Sequence, residues 1–374
     1  MRKSDGMKYI EPRFKRIVIK VGSNVITGND GTINEWRISQ LVQDIAILFK
    51  WGIEVILVTS GAVASGRSEV SLSRKISDVS AKQVWSAIGQ VKLMSVYQYL
   101  FGKFGIPAGQ VLATKESFRD RTHYLNMKNC ISTMFESRVL PVINENDTIS
   151  VNELMFTDND ELSGLISSMM DCRSLIILSN VDGMFDGAPG SEGSKLIREV
   201  NPDSGDLTCC ISASKSGSGR GGMATKYSVA KKLITEGIDV FIANGTRDSI
   251  VPDIVRGKDV PFTHFKACRQ TKNSVRKWLN HSESFARGEV YINSGAKQAL
   301  LGEKATSLLM IGITGIKGSF RRGDIVRIID EEGNSIGIGK SQYDSDKAST
   351  VIGEKSRKPF IQYDYMVINE GVEN

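Results

Sequence analysis

Histidine is almost absent from this chain of 374 residues: only His123, His264 and His281 occur. None has a Ser or Cys partner nearby in sequence, so a His-based nucleophilic triad is a poor reading. Cysteine is scarce too. Cys130, Cys172, Cys209, Cys210 and Cys268 form no Cys-x-x-Cys pair and no Cys/His spacing of a zinc site. The odd count argues against a disulfide framework and for reduced thiols. No apolar stretch approaches the roughly 20 residues that cross a bilayer. The segment Met1–Gly6 lacks the apolar core of a signal peptide. These absences predict a soluble, cytoplasmic protein with no membrane anchor and no metal held by the protein. The net charge of +6 is too small to establish nucleic-acid binding.

What the chain does have is a set of short Val/Ile/Leu runs, each ending in a polar tip. They are Arg16–Ser23, Glu54–Ala62, Gly109–Ala113, Val139–Asp147, Ser174–Asn180 and Asp239–Gly245. Near-continuous apolar runs describe strands buried on both faces. Helical spacing lies between them, over Trp36–Phe49, about Ala81–Phe104, from near Asp160 to Met169, and over Met223–Glu236. The expected fold class is therefore α/β: a mostly parallel sheet sandwiched by helices. Such sheets bind ligands beyond the carboxyl ends of their strands, where this sequence puts its Lys, Gly, Ser, Asn and Asp.

After about residue 268 the pattern changes. Residues 269–286 read as a polar, basic linker containing Trp278. From 287 to 365 short strands and turns predict a small β-rich domain, with a hairpin whose turn is Asp330–Asn334. Residues 366–374 read as a tail. The expected organisation is a catalytic domain over 1–268, the linker, the small domain and the tail.

The polar tips suggest phosphate chemistry. Lys20 ends the first run, and Gly22 and Ser23 follow it, giving a cation, a permissive backbone and a hydroxyl. Thr59-Ser60-Gly61-Ala62 repeats the device where a helix opens. Asn144-Glu145-Asn146-Asp147 and Asp158-Asn159-Asp160 are dense polar clusters. One residue of the second is accounted for as a helix cap. The others are suited to binding an amino group or to organising lysines around a phosphoryl group. Gly217–Lys226 is a glycine-rich loop running into a helix, with Lys226 in its first turn. It follows a polar stretch rather than a strand, which weakens a dinucleotide reading, and Met223 stands where a P-loop lysine belongs.

Together, Lys20–Ser23, Val58–Ala62, Pro141–Asp147, Asp158–Asp160 and Gly221–Lys226 resemble the glutamate 5-kinase family of the amino acid kinase superfamily. Gly312–Gly315 through Gly318–Asp324 resembles the β-barrel-like PUA domain that many bacterial members carry. The resemblance covers almost the whole chain. It implies phosphorylation of the L-glutamate side-chain carboxylate by ATP with magnesium, the first step of proline biosynthesis. Carried over by motif, Lys20 and Lys226 stabilise the migrating phosphoryl group and Asp160 holds those lysines. Ser60, Asp147 and Asn159 bind glutamate. Lys20, Gly22, Ser23, Ser179, Asn180, Arg220, Gly221, Gly222, Met223, Ala224, Thr225 and Lys226 contact ATP. Magnesium rides on the nucleotide. The resemblance also implies proline as a feedback inhibitor and a homo-oligomer, dimer or tetramer. Two departures stand out: Ser179-Asn180 where members have Thr-Asp, and Arg220 where they have Thr. Alternative readings are a kinase of another small carboxylate or carbamate, or an RNA-binding PUA protein with a degenerate kinase domain. Few exposed aromatic residues for base stacking are expected in the small domain, so a regulatory or structural role is the expectation there.

Overall fold

The structure is a computed structural model, and it describes residues 14–28, 31–72, 76–150, 156, 158–205, 207, 222–268, 286–302, 306–354 and 358–368. The chain forms two compact units, Met1–Thr271 and Lys272–Asn374.

The first unit is built on an eight-stranded sheet. Its strands are β1 (Arg16–Val21), β2 (Glu54–Val58), β3 (Ala108–Ala113), β4 (Leu140–Glu145), β5 (Ser174–Ser179), β6 (Glu199–Val200), β7 (Asp239–Asn244) and β8 (Phe262–Phe265). The spatial order is β3-β4-β2-β1-β5-β7-β8-β6. All pairings from β3 to β7 are parallel, so their carboxyl ends share one edge. The antiparallel exception is β7 with β8. Ile17, Val18 and Ile19 of β1 are fully buried, as are Leu175, Ile176 and Ile177 of β5. This is the double-sided burial that the apolar runs predict. The third run is the exception. Among the described residues β3 has β4 as its sole strand neighbour, and its residues are half-buried or exposed except for the buried Ala113. It is an edge strand rather than one covered on both faces.

The helices that position the site are α1 (Ser23–Ile26), α2 (Glu35–Lys50), α3 (Ala62–Glu69), α4 (Asp78–Gly102), α5 (Lys115–Arg119), α6 (Arg121–Glu136), α7 (Asn159–Met169), α8 (Met223–Ile234) and α9 (Ile250–Val255). Asn34 and Ser77 cap α2 and α4 with side-chain oxygens, each satisfying a backbone N–H that the helix leaves over. α3 and α4 cross at two glycines. A Cβ on Gly66 would sit 1.8 Å from the Trp85 carbonyl oxygen, and one on Gly89 1.8 Å from that of Ala62. The two backbones therefore touch directly, and no other residue fits either position.

The second unit has a five-stranded sheet of order β10-β9-β11-β12-β13. Its strands are β9 (Gly288–Ile292), β10 (Ile313–Gly318), β11 (Ile325–Ile329), β12 (Ser335–Lys340) and β13 (Met366–Ile368), with α10 (Ser294–Leu301) and α11 (Ser345–Ser349) alongside. Val290, Ile292, Met310, Val326, Ile328, Phe360 and Ile361 are among its fully buried core residues. The expected hairpin is β11–β12, antiparallel across the Asp330–Asn334 turn. The tail expected from 366 begins instead as a strand. β13 pairs with β12, and Met366 is buried in the core, so apolar burial extends the sheet to Ile368. The expected linker lies outside the described residues up to 285.

Two stability predictions follow from packing in the first unit. Gly89→Ala forces α3 off α4, and overpacking of this kind costs about 1–3 kcal/mol. A urea titration followed by circular dichroism should show a lower midpoint; an unchanged midpoint would mean the crossing opens without cost. Asp44 of α2 is buried against α9, where its carboxylate accepts from the Val251 N–H. Burial pushes its carboxyl up to about 7, against that hydrogen bond and with help from Asp253 and Asp248. A carboxyl raised on folding stabilises fully below its unfolded pKa, and that contribution is lost as pH rises through about 7. Asp44→Asn should therefore gain stability relative to wild type between pH 5 and pH 8, and a pH-independent gap in urea midpoints would refute this.

Candidate active site

Three charged side chains meet without solvent at the carboxyl edge of the sheet. Lys20 is the penultimate residue of β1, the strand flanked by β2 and β5. Asp160 stands in the first turn of α7, and Lys226 in the first turn of α8. Lys20 Nζ lies 2.6 Å from Asp160 Oδ1, and Lys226 Nζ donates to Asp160 Oδ2 at 2.8 Å. The Asp160 side chain is 0% exposed and the lysines are 7% and 8% exposed. Burial pushes the Asp160 carboxyl up, but the Lys20 and Lys226 ammoniums outweigh it and hold it below the usual carboxylate range. Among these three side chains the cations outnumber the anion by one, and the nearby Asp158 carboxyl, which also feels both lysines, offsets that excess when ionised.

Asp158 makes this geometry possible. It is the cap of α7, accepting from the N–H groups of Asp160 and Glu161. Of the three clustered residues only Asp158 is spent on capping; the helix then turns Asn159 and Asp160 into the site. Burial, followed by the charge of Asp160, pushes the Asp158 carboxyl up to about 6.

Asn159 ties the strand tips together. Its Nδ2 donates to the Thr59 carbonyl at 2.7 Å, to Ser60 Oγ at 3.0 Å and to Asn144 Oδ1 at 3.0 Å. Asn144 in turn donates to Gln90 of α4 at 2.9 Å. Gly61 sits at φ 99° between β2 and α3, with Ile26 and Ile33 side chains 3.0 and 3.2 Å from where a Cβ would stand. Only glycine takes that turn without strain.

A cavity of about 1010 Å³ opens beside this network. Ser23, Ser60, Asp147 and Asn159 line it, so the structure brings together residues from four separate motifs. Gly22 lies against Lys20: its N–H donates to the Leu178 carbonyl, and a Cβ on it would sit 3.7 Å from Lys20 Nζ. Ser179 and Asn180 sit at the tip of β5, the neighbour of β1. Gly222 is the cap of α8, and Met223, Ala224 and Thr225 form the turn that carries Lys226. Arg220 and Gly221 lie outside the described residues.

Three further residues line the cavity without having been singled out in the sequence, Arg67, Lys82 and Trp85, and Glu145 of the polar cluster after β4 lines it as well. Glu145 accepts from the Phe156 N–H, and burial raises its carboxyl above the ordinary range. Arg67 stacks over the Trp85 ring at 4.6 Å. Asp78, Lys82 and Trp85 recur at helical spacing on one face of α4, and that was the available signal.

The sequence matches the amino acid kinase family over residues 15–244 and the PUA domain over residues 288–359. The chain belongs to the amino acid kinase family. A protein named glutamate 5-kinase from Bacteroides thetaiotaomicron is 51% identical over 360 residues, covering 96% of this chain and 100% of that one. Another of that name, from Chlorobaculum tepidum, is 47% identical over 363 residues, covering 97% and 99%. Carbamate kinase from Giardia lamblia bound to AMP-PNP shares the fold, with a TM-score of 0.50, 14% identity, and coverage of 68% of this chain and 99% of that one.

In this amino acid kinase, Asp160→Asn leaves two buried ammoniums without their counter-charge. Breaking a buried ion group costs about 3–5 kcal/mol. Urea titration at pH 7.5 should show a loss of that order, and a midpoint within error of wild type would remove Asp160 from this role.

Proposed function

We propose that this chain transfers the γ-phosphoryl group of ATP to the side-chain carboxylate of L-glutamate, giving L-glutamyl 5-phosphate and ADP. That product opens proline biosynthesis. The observation that carries the reading is the Lys20–Asp160–Lys226 bridge beside a cavity lined by Asp147, Ser60 and Asn159. The names of the two relatives, each covered almost end to end, support the acceptor.

The reacting groups are both anionic, so the first requirement is cationic charge fixed between them. Lys20 and Lys226 supply it, and Asp160 sets their separation. A carboxylate oxygen of glutamate attacks the γ-phosphorus. The bond from phosphorus to the bridging oxygen breaks, and its electron pair leaves on ADP. No proton moves, which suits a site whose work is positioning and charge stabilisation. Ser60 and Asn159 hold the acceptor end of glutamate, and Asp147 takes its ammonium. The N-terminus of α8, capped by Gly222 without a side-chain hydrogen bond, presents backbone N–H groups to the nucleotide phosphates. Among the described residues no three Asp, Glu, His or Cys side chains converge as a metal cage. In this reading magnesium rides on the nucleotide, where it would neutralise phosphate charge. Proline inhibition at or near the cavity, a homo-oligomeric state and a cytoplasmic location belong to the same reading.

The test is ADP release with ATP and magnesium, with hydroxylamine present to trap an acyl phosphate. Glutamate-dependent turnover with a hydroxamate product is expected, and added proline should raise the glutamate KM. Lys226→Ala should lower kcat by about 10²–10³, the usual loss for a transition-state charge partner. Turnover with aspartate, N-acetylglutamate or carbamate in place of glutamate would reassign the acceptor.

A further inference from the structure

The cavity contains a pair of opposite charges of which only the anion, Asp147, has a role in the reading above. Lys82 stands near the start of α4, and its Nζ lies 2.7 Å from Oδ1 of Asp147, beyond the tip of β4. Both line the cavity, and their side chains are 29% and 11% exposed. A partly exposed ion pair contributes little stability by itself. Facing a cavity, it offers something else. An ammonium has three donors and a carboxylate two oxygens, so one contact between them leaves each with capacity toward a ligand. Of the other acidic groups lining the cavity, Glu145 accepts from the Phe156 N–H, Asp158 caps the start of α7, and Asp78 stands in the first turn of α4. Of the two cations lining the cavity, Arg67 lies over the Trp85 ring, and Lys82 is the one beside an anion.

A carbon bearing both an ammonium and a carboxylate presents the complement of this pair. We propose that Lys82 determines acceptor specificity by taking the α-carboxylate of the amino-acid substrate while Asp147 takes its α-ammonium. The four charges then alternate in sign, and the side chain is left to point at the lysine bridge. The assignment rests on the glutamate kinase reading and deepens it. It makes the site favour acceptors that carry both an α-ammonium and an α-carboxylate, because an acceptor lacking either group leaves one member of the pair without its ligand contact.

The test uses the full chain with Lys82→Met and Lys82→Arg, and two acceptors. L-Glutamate has both head-group charges. 4-Aminobutyrate keeps the ammonium and the reacting carboxylate but lacks the α-carboxylate. Lys82→Met should raise the glutamate KM about 10- to 100-fold, the loss expected for one charge-assisted hydrogen bond, and change kcat by no more than about three-fold. Lys82→Arg should recover most of that loss. The KM for 4-aminobutyrate, or its Ki against glutamate where turnover is too slow, should be the same in wild type and Lys82→Met. Equal weakening of both compounds would mean that Lys82 only orients Asp147, and would overturn the assignment. An unchanged glutamate KM, or a fall in kcat alone, would overturn it too. Thermal melts of both variants identify a loss of folding, and Lys82→Arg then carries the comparison. Absence of glutamate-dependent turnover in wild type would instead sink the functional reading, and this assignment with it.

Discussion

A carboxylate held out of water between two ammoniums is the interaction on which this kinase unit is arranged. Asp160 is tolerable at 0% exposure only because Lys20 and Lys226 both reach it. Those lysines arrive from the end of β1 and the start of α8, and the acid from the start of α7. Removing any one exposes the others to an uncompensated desolvation cost. The triad therefore constrains two helix starts and a strand end at once.

The sheet order distributes the two substrates. β1 lies at the division, with β2 and β4 on one side and β5 and β7 on the other. Ser60 follows β2 and Asp147 follows β4, so the residues assigned to the acceptor hang on one flank. Ser179 and Asn180 end β5 on the opposite flank, where the residues assigned to the nucleotide gather. Parallel pairing makes this possible, because it delivers every one of these tips to the same edge. The α3–α4 crossing adds the outer wall of the acceptor side. With no side chain between the two backbones, Arg67, Lys82 and Trp85 are set by contact of main chains rather than by adjustable packing.

The parts legible in the sequence were those governed by burial on both faces. β1, β2, β4, β5 and β7 appear as apolar runs because a central parallel strand has no polar side to show. β3 carries a similar run yet lies at the edge, since composition reports tolerance of burial and not the number of neighbours. β8 escaped notice because Thr263 and His264 interrupt it, and their polarity is satisfied by partners distant in sequence: Met184 and Ile197 for Thr263, Asp239 for His264. Lys82 escaped for a similar reason. A lysine on a helix reads as solvent-facing, and only the fold brings it to Asp147, 65 residues away by the difference of their numbers. The polar tips were readable because several unrelated strands ended in the same chemistry, a coincidence that a shared edge explains.

The order of the strands in space differs from their order along the chain, and this bears on how the unit is made. Synthesis delivers β1 to β5 first, and these five already form an unbroken run of neighbours. At that stage Asp160 has Lys20 but not Lys226, so only one of its two carboxylate oxygens has its lysine. The seat becomes fully satisfied when α8 emerges and packs with β7 beside β5. Domains tend to fold as units as they leave the ribosome. Here the second lysine sets the completion point late: a nascent chain ending short of α8 can hold most of its sheet while one oxygen of the Asp160 carboxylate still lacks its lysine.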